Sequence, residues 1–162
     1  PPVFVRFGRR TQQTFVLQRN PLFSASIGVG VDTLSLDTLH TLHLGIYKDF
    51  CMTAIWCMIQ ADVWHTGLTT LDDLVAVSVQ HCRRDLFHWY KEQRRANPTQ
   101  SLNELQDLRV EMLGSRAKQK LATKAAETAT LLGFCRDALR KHLDDLPRPQ
   151  GLALVEVGEA LV

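Results

Sequence analysis

The sequence predicts an α+β fold that is mainly α, with a small β portion at its N-terminus. Two hydrophobic periods carry this prediction. Apolar and polar residues alternate up to Asp37, as in an extended strand, whereas from Leu39 the apolar residues recur three or four apart, as on one face of a helix. The chain has 162 residues, of which 45% are hydrophobic and 22% charged. It can therefore bury a sizeable core, and its composition is not that of a disordered chain.

The same patterns divide the chain into segments. In the first one, VFVRF and TFVLQ alternate like the strands of a hairpin, and a further strand ends at Asp37. We expect a single domain over residues 1–162, made of a strand-rich segment at 1–37, a helical region at 38–146 and a C-terminal tail at 147–162.

The first two helices are marked by their apolar residues and by local start and stop signals. A helix from Leu39 to Trp64 is apolar nearly all round, so most of its circumference must be covered. A capping pattern at Thr70 opens a second helix, which arginines close at about Arg95. Because a small domain has little mass to cover the first helix, we expect part of it to remain as an exposed apolar patch.

Two more helices are predicted in the C-terminal half. Ser101 and Glu104 form a second capping box, which predicts a helix that ends at Gly114. The next helix starts at Ser115, bends or breaks at Gly133 and runs to about Leu146, before two prolines. The tail GLALVEVGEALV alternates in polarity and predicts a last strand, with a docked helix as the alternative.

The junction between strand and helix carries the clearest hint of chemistry. Asp37 lies at the end of a strand, and His40 projects near it one turn along the next helix. A carboxylate and an imidazole held this close can bind a divalent cation or exchange protons. His43 could approach the same ion, although histidines three apart at the start of a helix are more often ordinary hydrogen-bonding groups.

Two blocks of the sequence resemble a known family. LDTLHTLHLGI resembles the second-aspartate motif of RNase-H-like DDE transposases from eukaryotic cut-and-paste elements, of the D-x-x-H type, and KQKLATKAAETATLLGF resembles their glutamate-bearing helix. The resemblance implies a partial RNase-H-like core, a mixed sheet flanked by helices, with a helical insertion. It also implies that Asp37 and Glu127 are metal ligands for Mg²⁺ or Mn²⁺ and that His40 is the motif histidine. The substrate would then be DNA phosphodiesters.

One departure from the family pattern decides between two functions. A two-metal site needs carboxylates from several strands, yet no Asp or Glu precedes Asp32, and Asp32 lies on the opposite face of the strand from Asp37. We therefore expect a transposon-derived, non-catalytic helical module that acts through protein–protein contacts, with no cofactor, as an accessory subunit of a larger assembly. The alternative is a metal-dependent DDE-type transposase or nuclease.

Aromatic side chains predict where a protein partner or a second copy of the chain would bind. They are spaced as anchors of a core or an interface rather than as a platform for stacked bases, and they are Trp56, Trp64, Trp89 and Tyr90. The longest apolar run is too short to span a bilayer, so we expect no transmembrane segment.

Two further groups of residues bear on location and metal binding. The four cysteines have no C-x-x-C spacing and fall on helix faces, so they predict buried, reduced thiols and an intracellular protein. His81, Asp85 and His88 share one helix face, which could hold a metal ion, but without a fourth ligand a polar stripe facing solvent or a partner is favoured.

Overall fold

The computed structural model describes residues 39–115 and 117–162, all within the compact unit Thr38–Val162. A π-helix at Leu39–Ile46 leads into helix α1 at Tyr47–Gln60, and helix α2 follows at Leu71–Ala96. A short 3₁₀ helix at Val110–Leu113 precedes helix α3 at Ala125–Lys141 and helix α4 at Gln150–Leu161. The predicted mainly α character is confirmed, and residues 39–115 and 117–162 contain no β-strand.

Helix α3 is the centre of the packing. It contacts the π-helix, α1 and α4, and α1 contacts α2. The core consists mainly of residues from three helices, which are Cys51, Ala54, Ile55, Met58 and Ile59 of α1, Val79, Cys82, Leu86 and Tyr90 of α2, and Leu131, Leu132, Phe134, Cys135 and Leu139 of α3. Apolar stripes recurring three or four apart bring these side chains to one interior.

The first helix is shorter than the sequence predicted. It ends at Gln60 instead of Trp64, and Asp62 has a φ of +48°, a backbone conformation that does not continue a helix. Ile55, Ile59 and Val63 lie off the predicted apolar stripe, yet each is at most 2% exposed. Neighbouring helices therefore cover these three residues, whereas Ile46, also within the predicted helix, is 48% exposed. The exposed apolar patch on this helix stays a prediction.

The segment after α2 is not the helix that the sequence predicted. Residues 101–109 form no helix, because they run back along α2 and make their polar contacts with it. The Leu105 backbone N–H donates to the Tyr90 hydroxyl at 3.1 Å, and Glu104 forms an ion pair with Arg94 at 3.0 Å instead of capping a helix. These contacts with α2 take the place of helical hydrogen bonds within the segment.

The predicted helix start at Ser115 was also wrong. The backbone N–H of Lys120 donates to the Leu113 carbonyl at 3.2 Å, and that of Ala122 donates to the Met112 carbonyl at 2.8 Å. The chain therefore turns back on itself here, and α3 begins only at Ala125. Gly114, with a φ of +67° and a ψ of −160°, allows this reversal.

Helix α3 does not break at Gly133, and it ends at Lys141 rather than near Leu146. A Cβ at position 133 would lie 3.3 Å from the indole ring of Trp89. This glycine therefore provides room for a tryptophan of α2 and does not interrupt the helix.

The tail is a helix, so the predicted last strand was wrong and the docked helix is found instead. Gly151 and Gly158 are buried, and a Cβ on Gly158 would lie 3.0 Å from the Phe50 ring. Leu152, which supported the strand pattern, is 41% exposed. The face of α4 that packs carries small residues at helical spacing, which an alternation of large apolar residues does not reveal.

Some of the sequence predictions concern residues outside 39–115 and 117–162, or features that these residues do not test. The N-terminal β portion and the strand that ends at Asp37 lie outside the described residues, and the RNase-H-like core and the single domain over 1–162 stay predictions. None of the helices within residues 39–115 and 117–162 is long and apolar enough to cross a membrane.

Candidate functional site

Of the predicted acidic site, the structure describes His40 and Glu127. Asp37 lies outside the described residues, and His40 is exposed at the start of the π-helix. Glu127 lies in the first turn of α3, where its Oε2 accepts the Lys124 backbone N–H at 2.9 Å and its Oε1 lies 3.9 Å from Lys124 Nζ. The Glu127 carboxylate therefore closes the N-terminus of its own helix, where a negative charge also favours the helix dipole.

The π-helix lies beside the start of α3. His43 Nδ1 is 3.2 Å from the Ala125 carbonyl oxygen, and Lys48 Nζ donates to the Thr123 carbonyl at 3.1 Å. The residues that follow Asp37 in the chain thus lie near the residues that precede Glu127. The approach of the Asp37 and Glu127 carboxylates to each other stays a prediction.

The four predicted aromatic anchors occupy two kinds of position. Trp56 and Tyr90 are 4% and 1% exposed and belong to the core. The indole N–H of Trp56 donates to the Leu113 carbonyl at 3.3 Å, so its polar atom is satisfied inside the chain. Trp64 and Trp89 are half-buried, so solvent reaches these two members of the set.

Trp64 and Trp89 line the same cavity, which we call the tryptophan pocket. Its volume is about 270 Å³, near the small end of the range typical of ligand pockets. Its other lining residues come from α2, α3 and the turn after α3, and they are Asp85, His88, Glu92, Gln93, Phe134, Asp137, Ala138, Lys141 and His142. Aromatic rings and charged groups thus share one small concave site.

Each indole N–H in the pocket donates to a carboxylate. Trp64 Nε1 donates to Asp85 Oδ2 at 3.0 Å, and Trp89 Nε1 donates to Asp137 Oδ2 at 2.8 Å. The Trp89 ring also packs edge-on against Phe134, with ring centroids 6.2 Å apart. The hydrogen bonds and the ring contact restrain both indoles before any ligand arrives.

The loop after α1 holds Trp64 in place. Asp62 Oδ1 accepts the Thr66 backbone N–H at 2.9 Å, and Asp62 Oδ2 accepts the Gly67 N–H at 3.1 Å. The hydrogen bond from Thr66 is the main cause of a lowered pKa for the Asp62 carboxyl. Because folding lowers this pKa, the ionised carboxylate stabilises the loop at a pH above the usual range of Asp pKa values. This stabilisation is lost as the pH falls through the lowered pKa.

The sequence revealed part of the pocket. It indicated Trp64 and Trp89 as anchors, and it placed Asp85 on a polar helix face. It missed Asp137 and Phe134, because nothing in the local pattern of α3 distinguishes them from other surface and core residues. Two residues of the predicted polar stripe of His81, Asp85 and His88 have partners within the chain. Asp85 accepts a hydrogen bond from the Trp64 indole, and His88 Nε2 lies 3.1 Å from Glu92 Oε1.

The cysteines lie largely in the core. Cys51, Cys82 and Cys135 are buried, Cys57 is half-buried, and all four are free thiols. Burial raises the pKa of Cys82 to about 12. The pKa of Cys135 is also raised, because it is hydrogen-bonded with Cys51, to whose carbonyl oxygen its thiol donates, and because it is desolvated. Buried thiols of this kind are unreactive, so they are structural residues rather than candidates for catalysis.

Within residues 39–115 and 117–162, no group of three or more His, Cys, Asp or Glu side chains could hold a metal ion. Comparison of the chain with protein-family models, with curated proteins and with solved structures gives no match.

Proposed function

We propose that this chain is a transposase-derived helical module that does not cut DNA and acts through protein–protein contacts, as an accessory subunit of a larger assembly. The observation that carries the proposal is the tryptophan pocket. Trp64 and Trp89 are half-buried, reachable from solvent and restrained by hydrogen bonds to Asp85 and Asp137.

Restrained tryptophans suit a contact surface. Tryptophan is enriched among the residues that dominate binding energy, because one ring buries a large area and has few torsions to immobilise. Here the hydrogen bonds already restrain the two indoles, so a partner would lose little conformational entropy when it binds. The pocket is lined by α2 and α3, which pack into the same core, and this supports a preformed site.

The geometry of Glu127 is also consistent with a module that does not cut DNA. Its carboxylate accepts a backbone N–H of its own helix and lies next to the ammonium of Lys124. These contacts give Glu127 a role in starting α3 that does not depend on catalysis.

A capture experiment with matched charge reversals tests the proposal. The tagged chain, Glu92→Lys and Glu156→Lys are incubated with extract of cells that express the protein. Glu92 lines the tryptophan pocket, whereas Glu156 is exposed on α4 and does not. We expect a partner that the unmodified chain and Glu156→Lys retain. Glu92→Lys should weaken its capture by at least about tenfold, because the reversal changes the charge at the pocket rim by two units. Equal capture by both variants would contradict the proposed contact site.

One observation favours the alternative function, a metal-dependent DDE-type nuclease. The contacts of His43 with Ala125 and of Lys48 with Thr123 bring the segment after Asp37 next to the start of the Glu127 helix. In the resemblance, this helix carries the last carboxylate of the metal site, and the D-x-x-H motif lies just before His43 in the sequence.

We expect no metal-dependent DNA cleavage by the purified chain. Two carboxylates and a histidine offset less of the charge of two cations than a full acidic cluster does. Supercoiled plasmid is incubated with the chain and Mg²⁺ or Mn²⁺, and nicking is followed by gel electrophoresis. Nicking that disappears in Asp37→Ala but persists in Asp49→Ala, a change at an exposed acidic residue of α1, would favour the nuclease instead.

A further inference from the structure

We infer that the tryptophan pocket binds a methylated lysine side chain of the partner protein, through its alkylammonium group. This inference rests on the proposed function and names the chemistry that the pocket would recognise. It draws on the aromatic walls, the carboxylates and the size of the cavity.

Several of the residues that line the pocket have aromatic rings. Trp64 and Trp89 line it together with the ring of Phe134 and the imidazole of His142, whose centroid lies 6.3 Å from that of Trp64. The faces of such rings carry negative electrostatic potential, and tryptophan attracts cations most strongly. A hydrogen bond from each indole N–H to a carboxylate adds negative charge close to the rings.

Charged side chains in the lining favour a cation over an anion. The lining contains three carboxylates, those of Asp85, Glu92 and Asp137, and one ammonium, that of Lys141. Glu92 also lies 3.1 Å from the His88 imidazole. Two arginines outside the lining also contact these carboxylates. Arg136 Nε donates to Asp137 Oδ1 at 2.8 Å, and Arg84 Nε lies 3.6 Å from Asp85 Oδ1. The side chain of Arg84 is 68% exposed, so water screens its charge.

The contacts already present favour an alkylated ammonium. A free lysine ammonium has three N–H donors that need acceptors. Asp85 already accepts from Trp64, Asp137 accepts from Trp89 and Arg136, and Glu92 lies 3.1 Å from the His88 imidazole, so a free ammonium would have to share each carboxylate with an existing partner. A trimethylated ammonium has no N–H donor and is attracted by ring faces and nearby negative charge alone. A volume of about 270 Å³ has room for one such group and excludes a large ligand.

The inference is tested by fluorescence titration of the purified chain, whose only tryptophans are Trp56, Trp64 and Trp89. The probes are tetramethylammonium chloride, sodium chloride at equal ionic strength and neopentyl alcohol, an uncharged molecule of similar shape. We expect saturable binding of tetramethylammonium only. Binding should weaken about tenfold in Asp85→Asn, which keeps an acceptor for the Trp64 indole but removes a unit charge.

Matched variants and two peptides complete the test. Glu92→Gln removes an exposed pocket carboxylate without disturbing a hydrogen-bonded indole and should also weaken binding, whereas Glu156→Gln should not. A short peptide with one trimethyl-lysine should bind more tightly than the same peptide with unmodified lysine. Choline, a small quaternary ammonium compound, is titrated to test whether the pocket binds a free ligand instead of a peptide.

Three results would overturn the inference. They are a tetramethylammonium response no larger than that of sodium chloride, equal binding of neopentyl alcohol, and binding of choline without binding of the trimethyl-lysine peptide. Failure of the proposed function is seen separately in the capture experiment. A chain that loses its partner in Glu92→Lys but binds no tetramethylammonium keeps the contact function and loses only this ligand.

Discussion

Gly114→Ala is expected to lower the free energy of unfolding by about 3 kcal/mol or more. A Cβ at this position would lie 2.5 Å from the Lys118 carbonyl oxygen and 2.9 Å from the Lys120 nitrogen, both of which are backbone atoms. The φ of +67° with a ψ of −160° is also a region that side-chain-bearing residues avoid. The reversal that leads the chain into α3 would therefore have to open.

Gly67→Ala is the matched control for this change. Gly67 has the same φ of +67°, but a Cβ there would meet no atom within 4 Å. This variant should lose only about 1 kcal/mol, the cost of the left-handed conformation. Urea unfolding of the two variants separates the backbone clash from the conformational strain. Equal losses would show that the close approach at Gly114 is not present in solution.

Leu131→Ala is expected to cost about 3 kcal/mol of stability. Leu131 is fully buried in α3, the helix that contacts the π-helix, α1 and α4. The substitution removes apolar contacts and leaves a cavity. The helices that surround it on several sides cannot all move in to fill it.

The same substitution at an exposed position provides the comparison. Leu152 of α4 is 41% exposed, so Leu152→Ala should change stability by no more than about 0.5 kcal/mol. Both values come from urea unfolding followed by circular dichroism, with the slope of the transition checked for constancy. A loss at Leu152 that equals the loss at Leu131 would contradict the difference in burial between the two positions.

The sequence predictions were accurate where a structure depends on neighbouring residues and failed where it depends on contacts between segments that are far apart in the sequence. Helix α2 was predicted from Thr70 to about Arg95 and is found at Leu71–Ala96, because the signals at its ends are local. The segment after it was mistaken for a helix. Its capping residue Glu104 and its apolar Leu105 bind Arg94 and Tyr90, and these contacts depend on how the chain folds back on α2.

The residues of the candidate site also fall into those that the local sequence predicts and those that it does not. Size and polarity predicted Trp64 and Trp89 as anchors, since large amphipathic rings are common at interfaces. Both line one cavity, and their role at an interface stays a prediction. The carboxylate that restrains Trp89 could not be predicted, because Asp137 is 48 residues away and lies on another helix. Gly133 was interpreted as a helix breaker, whereas its small size admits the Trp89 ring beside α3.

The position at which the partner cross-links to the chain tests the central claim most directly. A photo-reactive benzoylphenylalanine replaces Glu92 at the rim of the tryptophan pocket in one variant and Glu156 on α4 in the other. Each variant is irradiated in extract of cells that express the protein, and the adducts are compared by mass. We expect a partner adduct at position 92 and at most a trace at position 156. An adduct confined to position 156, or equal adducts at both positions, would contradict the proposal that the chain acts through this pocket.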